Sequence, residues 1–262
     1  MAAGYEAGLS PPGMRAAREL RIRPLTGLPE LREGDDLGGL IAAAEPAAAD
    51  VVVLSQKVVS KAEGRLRRLA DVEPGDEARE LASRLDKDSR LVELVLEEST
   101  RMVRAQHGVL ITETRGGWVC ANAGIDASNL DEGWVTLLPA DADASARAIR
   151  TRIAEASGLS PAVVIADSFG RPWRLGQSDV AIGCAGIEPV ADWRGRRDAG
   201  GHELSATVVA VADQLAGAAD LTRDKDSGVP GAIVSGVGDL VIAEDGPGAK
   251  RIQRPAEDDL FR

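Results

Sequence analysis

The chain repeatedly sets a short, unbroken apolar run beside a charged, alanine-rich stretch of helical character, and this alternation limits its fold more than any other feature. "DVVVL" at 50–54 and "PAVVIAD" at 161–167 read as buried strands, and "SDVAIGCAGI" and "PGAIVSGVGDLVI" as further strands near the C-terminus. Between them, "GDDLGGLIAAAEPAAA" reads as a helix opened by its acidic pair, residues 76–105 show helical periodicity, and "DADASARAIRTRIAEASG" reads as a helix closed by its Gly. Asp143 or Ser145 is the expected N-cap of that helix. "HGVLITET" and "WVCANAGID" read as a hairpin about "RGG", "GWVTLLP" as a strand, 203–219 as a helix, and "SQKVVSKAEGR" as a polar loop after its strand. The pattern predicts a mixed α/β or α+β protein with about ten strands.

With 262 residues there is enough chain for a substantial core, and with only 3% aromatics that core must be built from Ala, Val, Leu and Ile. The net charge of −11, with basic residues dispersed among acidic ones, argues against nucleic acid as the main partner. No apolar run is long enough to span a bilayer, and the N-terminus lacks the charged and apolar regions of a signal peptide. A cytoplasmic protein with a flexible tail over residues 1–19 is expected. The two cysteines, Cys120 and Cys184, sit in small apolar contexts and read as buried, unreactive thiols; without Cys-x-x-Cys or paired His spacing, a structural zinc site is not expected.

Neither a P-loop nor a Gly-rich dinucleotide fingerprint is present, so any nucleotide must be held another way. Lys57 and Lys61 follow an apolar strand, where an ammonium suits phosphate and equally reads as a solvated loop charge. Asp126 and Asp167 each end a short apolar run, where a carboxylate can hold a hard divalent cation or simply cap a turn; Ser168 stands ready to add a hydroxyl oxygen. Arg171, Trp173, Arg174 and Gln177 crowd the next ten residues, with groups suited to a carboxylate, a phosphate or a flat ring, or to an ordinary loop. "LTRDKDSGVPG" at 221–231 reads as a solvated turn or as a loop closing over a ligand.

In combination the motifs become specific. "LPELREGDDL", "VVVLSQKVVSKAEGR", "GVLITET", "AGIDASN", "VVIADSFGRPWRLGQSDVAIGCAGI", "RDAGGHELSATVVAVADQLAGAADL" and "RPAEDDLF" occur in one order from residue 20 to the C-terminus. On these strings the chain resembles the coenzyme F420-0:L-glutamate ligase family, the γ-glutamyl ligases of F420 biosynthesis. The resemblance implies a two-lobed α+β fold of mixed sheets over residues 20–262, assembled as a homodimer. It implies GTP as co-substrate, coenzyme F420-0 and L-glutamate as substrates, and two sites for Mg2+ or Mn2+, with K+ as a further candidate ion. Carried over by position, Leu28, Pro29, Glu30, Leu31, Gln56, Lys57, Lys61 and Asn129 correspond to nucleotide contacts, and Lys225, Asp226, Ser227 and Gly228 to a nucleotide loop. Asp126 and Asp167 correspond to a first metal site and Ser168 to a second-metal ligand. "TRDKDSGVP" departs from the family's Gly-rich loop, leaving Asp224 and Asp226 as candidates for the other second-metal ligand.

The implied chemistry is condensation of a carboxylate with an amine through an acyl phosphate made from GTP. It requires no side-chain nucleophile, in keeping with the reading of both thiols. The alternatives are a γ-glutamyl ligase for another carboxylate acceptor, folate-like or tetrapyrrole, and a GTP- or F420-binding module without catalysis.

Overall fold

Asp36 caps the first helix by accepting from the Gly39 N–H, so the acidic pair before residue 37 acts as the start signal it resembles. The computed structural model describes residues 18–259; residues 1–17 of the expected tail and the last residues of the "RPAEDDLF" motif lie outside the described residues. Strand β1 (Arg21–Pro24) leads to helix α1 (Leu37–Ala42) and strand β2 (Val51–Ser55). In place of the expected polar loop, Ser55 caps a helix, α2 (Gln56–Ala62), whose Val59 and Ser60 are buried. Burial of that face settles a segment too short for its periodicity to be read. After β3 (Leu66–Arg68), the helical stretch divides into α3 (Asp76–Leu85) and α4 (Ser89–Glu97), broken at Asp86 with φ 54°.

The helix expected to continue to residue 105 gives way to strand β4 (Ser99–Gln106), because its backbone pairs with β5 (Val109–Thr114). Strands β6 (Val119–Ala121) and β7 (Trp134–Thr136) follow, then α5 (Ala142–Ser157), which ends at left-handed Gly158 as expected. Its N-cap is Asp141, not Asp143 or Ser145: Asp141 accepts from the Ala144 N–H, while Asp143 is buried and accepts from the Cys184 and Ala249 N–H groups. Strands β8 (Ala162–Arg171) and β9 (Arg174–Ala185) form a long hairpin, followed by β10 (Val190–Asp192) and β11 (Val208–Ala210). Helix α6 (Val211–Asp220) starts eight residues later than expected, since residues 208–210 pair with β10. Strand β12 (Gly231–Ser235) closes the set.

The main sheet has the order β1-β12-β2-β8-β9, with β2 and β8 parallel and the other pairs antiparallel. Alternate residues of β2 enter different cores: Val52 and Leu54 pack with α1 and α5, Val51 and Val53 with α6. Burial on both faces is why the run is apolar without alternation. A third core, centred on Leu81, Val92, Leu110, Ile125 and Val135, joins α3 and α4 to the smaller sheet β4-β5-β6. The result is an α+β arrangement of mixed sheets whose cores are almost wholly aliphatic, as the composition requires.

Helix α5 lies so close on β9 that a Cβ at Gly183 would fall 2.3 Å from the Ala142 carbonyl oxygen. Gly183→Ala is therefore expected to destabilise the protein by about 1–3 kcal/mol, read as a lowered denaturation midpoint. An unchanged midpoint would mean that α5 does not seat there.

Candidate active site

One edge of the main sheet gathers the expected chemistry. Ser55 of β2 lies opposite Ala166 of parallel β8, so the segments that continue from these two residues emerge side by side. The antiparallel pairings bring in two more segments: β12 begins opposite Leu54, and β1 ends opposite Ala232. The stretches 25–31, 56–61, 167–168 and 223–230 thus meet at the carboxyl ends of the two parallel strands, where open sheets commonly place ligands. A cleft of about 650 Å³ opens there.

Leu28, Pro29, Glu30, Leu31, Lys57, Lys61, Asn129, Lys225 and Gly228 line the cleft, together with Asp126, Asp167, Ser168 and Gln177. Lys57 and Lys61 stand one helical turn apart on α2 and so share a face. Lys57 Nζ is 2.7 Å from Asp126 Oδ2 and also hydrogen-bonds Ser128, while Lys61 pairs with Glu30. Asp126 caps its turn, accepting from the Ser128 N–H at 2.7 Å, and also lines the cleft. Asn129, at φ 57°, donates to the Lys225 carbonyl at 3.5 Å and ties the "DASN" turn to the 224–228 loop.

Other expected residues lie elsewhere. Gln56 is fully buried beneath the lining, accepting from Ser60 Oγ at 2.9 Å. Asp226 and Ser227 are not among the lining residues; Asp224 is. Arg171, Trp173 and Arg174 form the tip of the β8–β9 hairpin, outside the cleft lining, with Trp173 80% exposed at φ 59°. Arg171 donates there to the Leu175 carbonyl at 2.6 Å. Of that crowded segment, only its two ends reach the cleft. A smaller cavity of about 180 Å³, beside Trp118 and the first turn of α5, contains none of the expected site residues.

Sequence reasoning missed Asp179, Asp220 and Arg223, all on the cleft wall. Asp179, 4% exposed, accepts from Ser168 Oγ at 2.6 Å and pairs with buried Arg223. A signal existed: with β8 and β9 joined by a tight hairpin, Ser168 lies opposite Asp179.

Electrostatically the cleft is short of cations. Lys57, Lys61, Arg223 and Lys225 face Glu30, Asp126, Asp167, Asp179, Asp220 and Asp224, four positive groups against six acidic ones. Burial, reinforced by Asp179 and Asp126, pushes the Asp167 carboxyl up to about 7 despite the Ser168 N–H bonded to it. At Asp126 burial also acts upward, but the Lys57 hydrogen bond and the Ser128 N–H outweigh it and hold the carboxyl below its ordinary value. A hard divalent cation fits this donor set of carboxylate and hydroxyl oxygens. Among the described residues no three acidic, His or Cys side chains converge as a ready-made metal site, so phosphate oxygens and water would have to complete the shell.

A model of the F420-0:gamma-glutamyl ligase family matches residues 27–236. The chain belongs to that family. It is similar to the coenzyme F420:L-glutamate ligase of Methanothermobacter thermautotrophicus, 44% identical over 90% of this chain and 96% of the relative. The proteins of the same name from Methanopyrus kandleri and Archaeoglobus fulgidus are 46% and 41% identical, each over 93% of this chain and 98% and 96% of the relative, respectively. For this member of the γ-glutamyl ligase family, the matched span includes all the cleft-lining segments, from Leu28 to Pro230, and excludes strand β1.

Both thiols behave as expected of buried groups. Burial pushes Cys120 and Cys184 up to about 12, with Asp167 adding to the shift at Cys120 and Asp143 at Cys184. The folded protein is expected to resist iodoacetamide at pH 8 and to label at both cysteines once unfolded; mass spectrometry reads the difference. Labelling of Cys120 in the folded protein would mean that the cleft wall opens.

Proposed function

We propose that the chain ligates L-glutamate to coenzyme F420-0, using GTP and a divalent cation and passing through an acyl phosphate. The relatives carry the coarser part of this reading in their names. The single observation that carries the rest is the convergence of Asp126, Asp167, Ser168, Lys57 and Lys61 on one cleft, whose lining thiol, Cys120, is buried and pushed up to about 12. A triphosphate entering a wall with more acids than bases needs added positive charge, which favours a cation-dependent nucleotide.

The γ-phosphoryl group passes to the acceptor's carboxylate, releasing GDP. The glutamate amine then attacks the acyl carbon, loses a proton and displaces phosphate. Asp126 and Asp167 would hold the divalent ion, with Ser168 beside them. When bound, that ion would neutralise phosphate oxygens and orient the transfer. Lys57 and Lys61, on one face of α2, direct ammonium groups at the phosphates, exchanging Asp126 and Glu30 for them. Leu28 and Leu31 supply an apolar wall suited to one face of the nucleotide base.

The test is incubation of purified protein with GTP, Mg2+ or Mn2+, glutamate and F420-0, followed by mass measurement. Glutamylated product with one GDP per added glutamate is expected. GTP binding without GDP release would favour the module without catalysis, and product only with a different acceptor would move the substrate assignment.

A further inference from the structure

The ammonium of Lys225 sits where a second metal ion would be expected. Its Nζ donates to Ser168 Oγ at 2.6 Å and lies 3.6 Å from Asp220 Oδ1 and 3.8 Å from Asp179 Oδ1. These oxygens come from three different elements: β8, the C-terminal end of α6, and β9. Asp179 is fixed from behind by Arg223, so one of its oxygens is committed to the guanidinium and the other faces Ser168 and Lys225. The Ser168 hydroxyl both donates to Asp179 and accepts from Lys225.

Resting on the ligase reading above, we propose that Lys225 is a built-in cation that replaces the second divalent ion, so that this chain works with one divalent ion, at Asp126 and Asp167. A divalent ion on the same oxygens would meet the positive ammonium already held there, a strong repulsion at protein-like dielectric. It would also have to take the Ser168 lone pair that Lys225 holds. The lysine stem is flexible and its side chain is 68% exposed, so the charge sits in the cage while remaining able to meet a phosphate oxygen entering from the cleft. A tethered ammonium brings a single charge, needs no uptake from solution and cannot be chelated. Of the two residues expected as alternatives for that second-ion ligand, Asp226 is absent from the cleft lining and Asp224 is part of it.

The experiment counts Mn2+ ions bound to the full chain by electron paramagnetic resonance, with GDP present and neither acceptor nor glutamate added. The native protein is expected to bind no more than one tight ion per chain, Lys225→Gln one more than native, and Lys225→Arg the native number. Two tight ions on the native chain, no gain in Lys225→Gln, or an equal gain in Lys225→Arg would overturn the proposal. Because no turnover is read, a second ion on an active enzyme would sink this inference alone. A failed product assay would leave the ion count standing.

Discussion

Asp167→Asn is expected to abolish ligation and, in the same protein, to raise thermal stability at alkaline pH. Its carboxyl titrates at about 7 in the folded state against 3.8 as the ordinary value, because of its burial and the neighbouring carboxylates of Asp179 and Asp126. Between those two values the folded protein holds a proton that the unfolded chain has released, so stability falls as pH rises through that window. Below about pH 4 the protonated acid and the amide are close equivalents, and the variant should melt with the native protein. Above about pH 7 the native protein carries a buried carboxylate that the Ser168 N–H and Lys57 offset only in part, and the variant does not. Each pH unit between the two values is worth at most about 1.4 kcal/mol. Because the side chain reaches cleft solvent in part, about 2–3 kcal/mol in total is expected, or roughly 5–10 °C in melting temperature. Melts in EDTA from pH 5 to 8.5 measure this directly. Parallel curves for the two proteins would reject the electrostatic reading of Asp167, and an active variant would reject its place in the chemistry.

Arg223→Met is expected to be among the most destabilising single changes in the site. Arg223 and Asp179 are each 5% exposed at the side chain, and removing the guanidinium leaves Asp179 buried with only Ser168 and the more distant Lys225 to face it. Breaking one half of such a pair costs about 3–5 kcal/mol, equivalent to roughly 10 °C for a chain of this size. Replacing both, as Asp179→Leu with Arg223→Met, removes the stranded charge and should recover most of that loss. Activity should not return with stability, because Ser168 then has no carboxylate to accept its hydrogen bond and Lys225 loses one wall of its cage. A double variant as unstable as the single one would show that packing, not charge, accounts for the effect.

Much of this site could be read along the chain because strand ends announce themselves. Asp126 and Asp167 were legible because each follows a short apolar run, and Lys57 and Lys61 because they follow β2 directly. The same local logic failed where neighbours in sequence separate in space. Arg171, Trp173 and Arg174 follow Asp167 by only a few residues, yet an extended hairpin carries them along β8 to its tip, while Gln177 returns to the cleft on β9. Secondary structure failed for the same reason at 99–105 and 208–210, where a partner strand took the backbone hydrogen bonds from an expected helix.

By itself the sequence determined the aliphatic cores, the buried strands and which residue types stand at their ends, since these depend on short-range composition and period. The tertiary structure alone decided that Ser168, Asp179 and Asp220 surround Lys225, because elements distant in sequence meet only once sheet order and hairpin register are set. Which charges neutralise one another depends on that meeting.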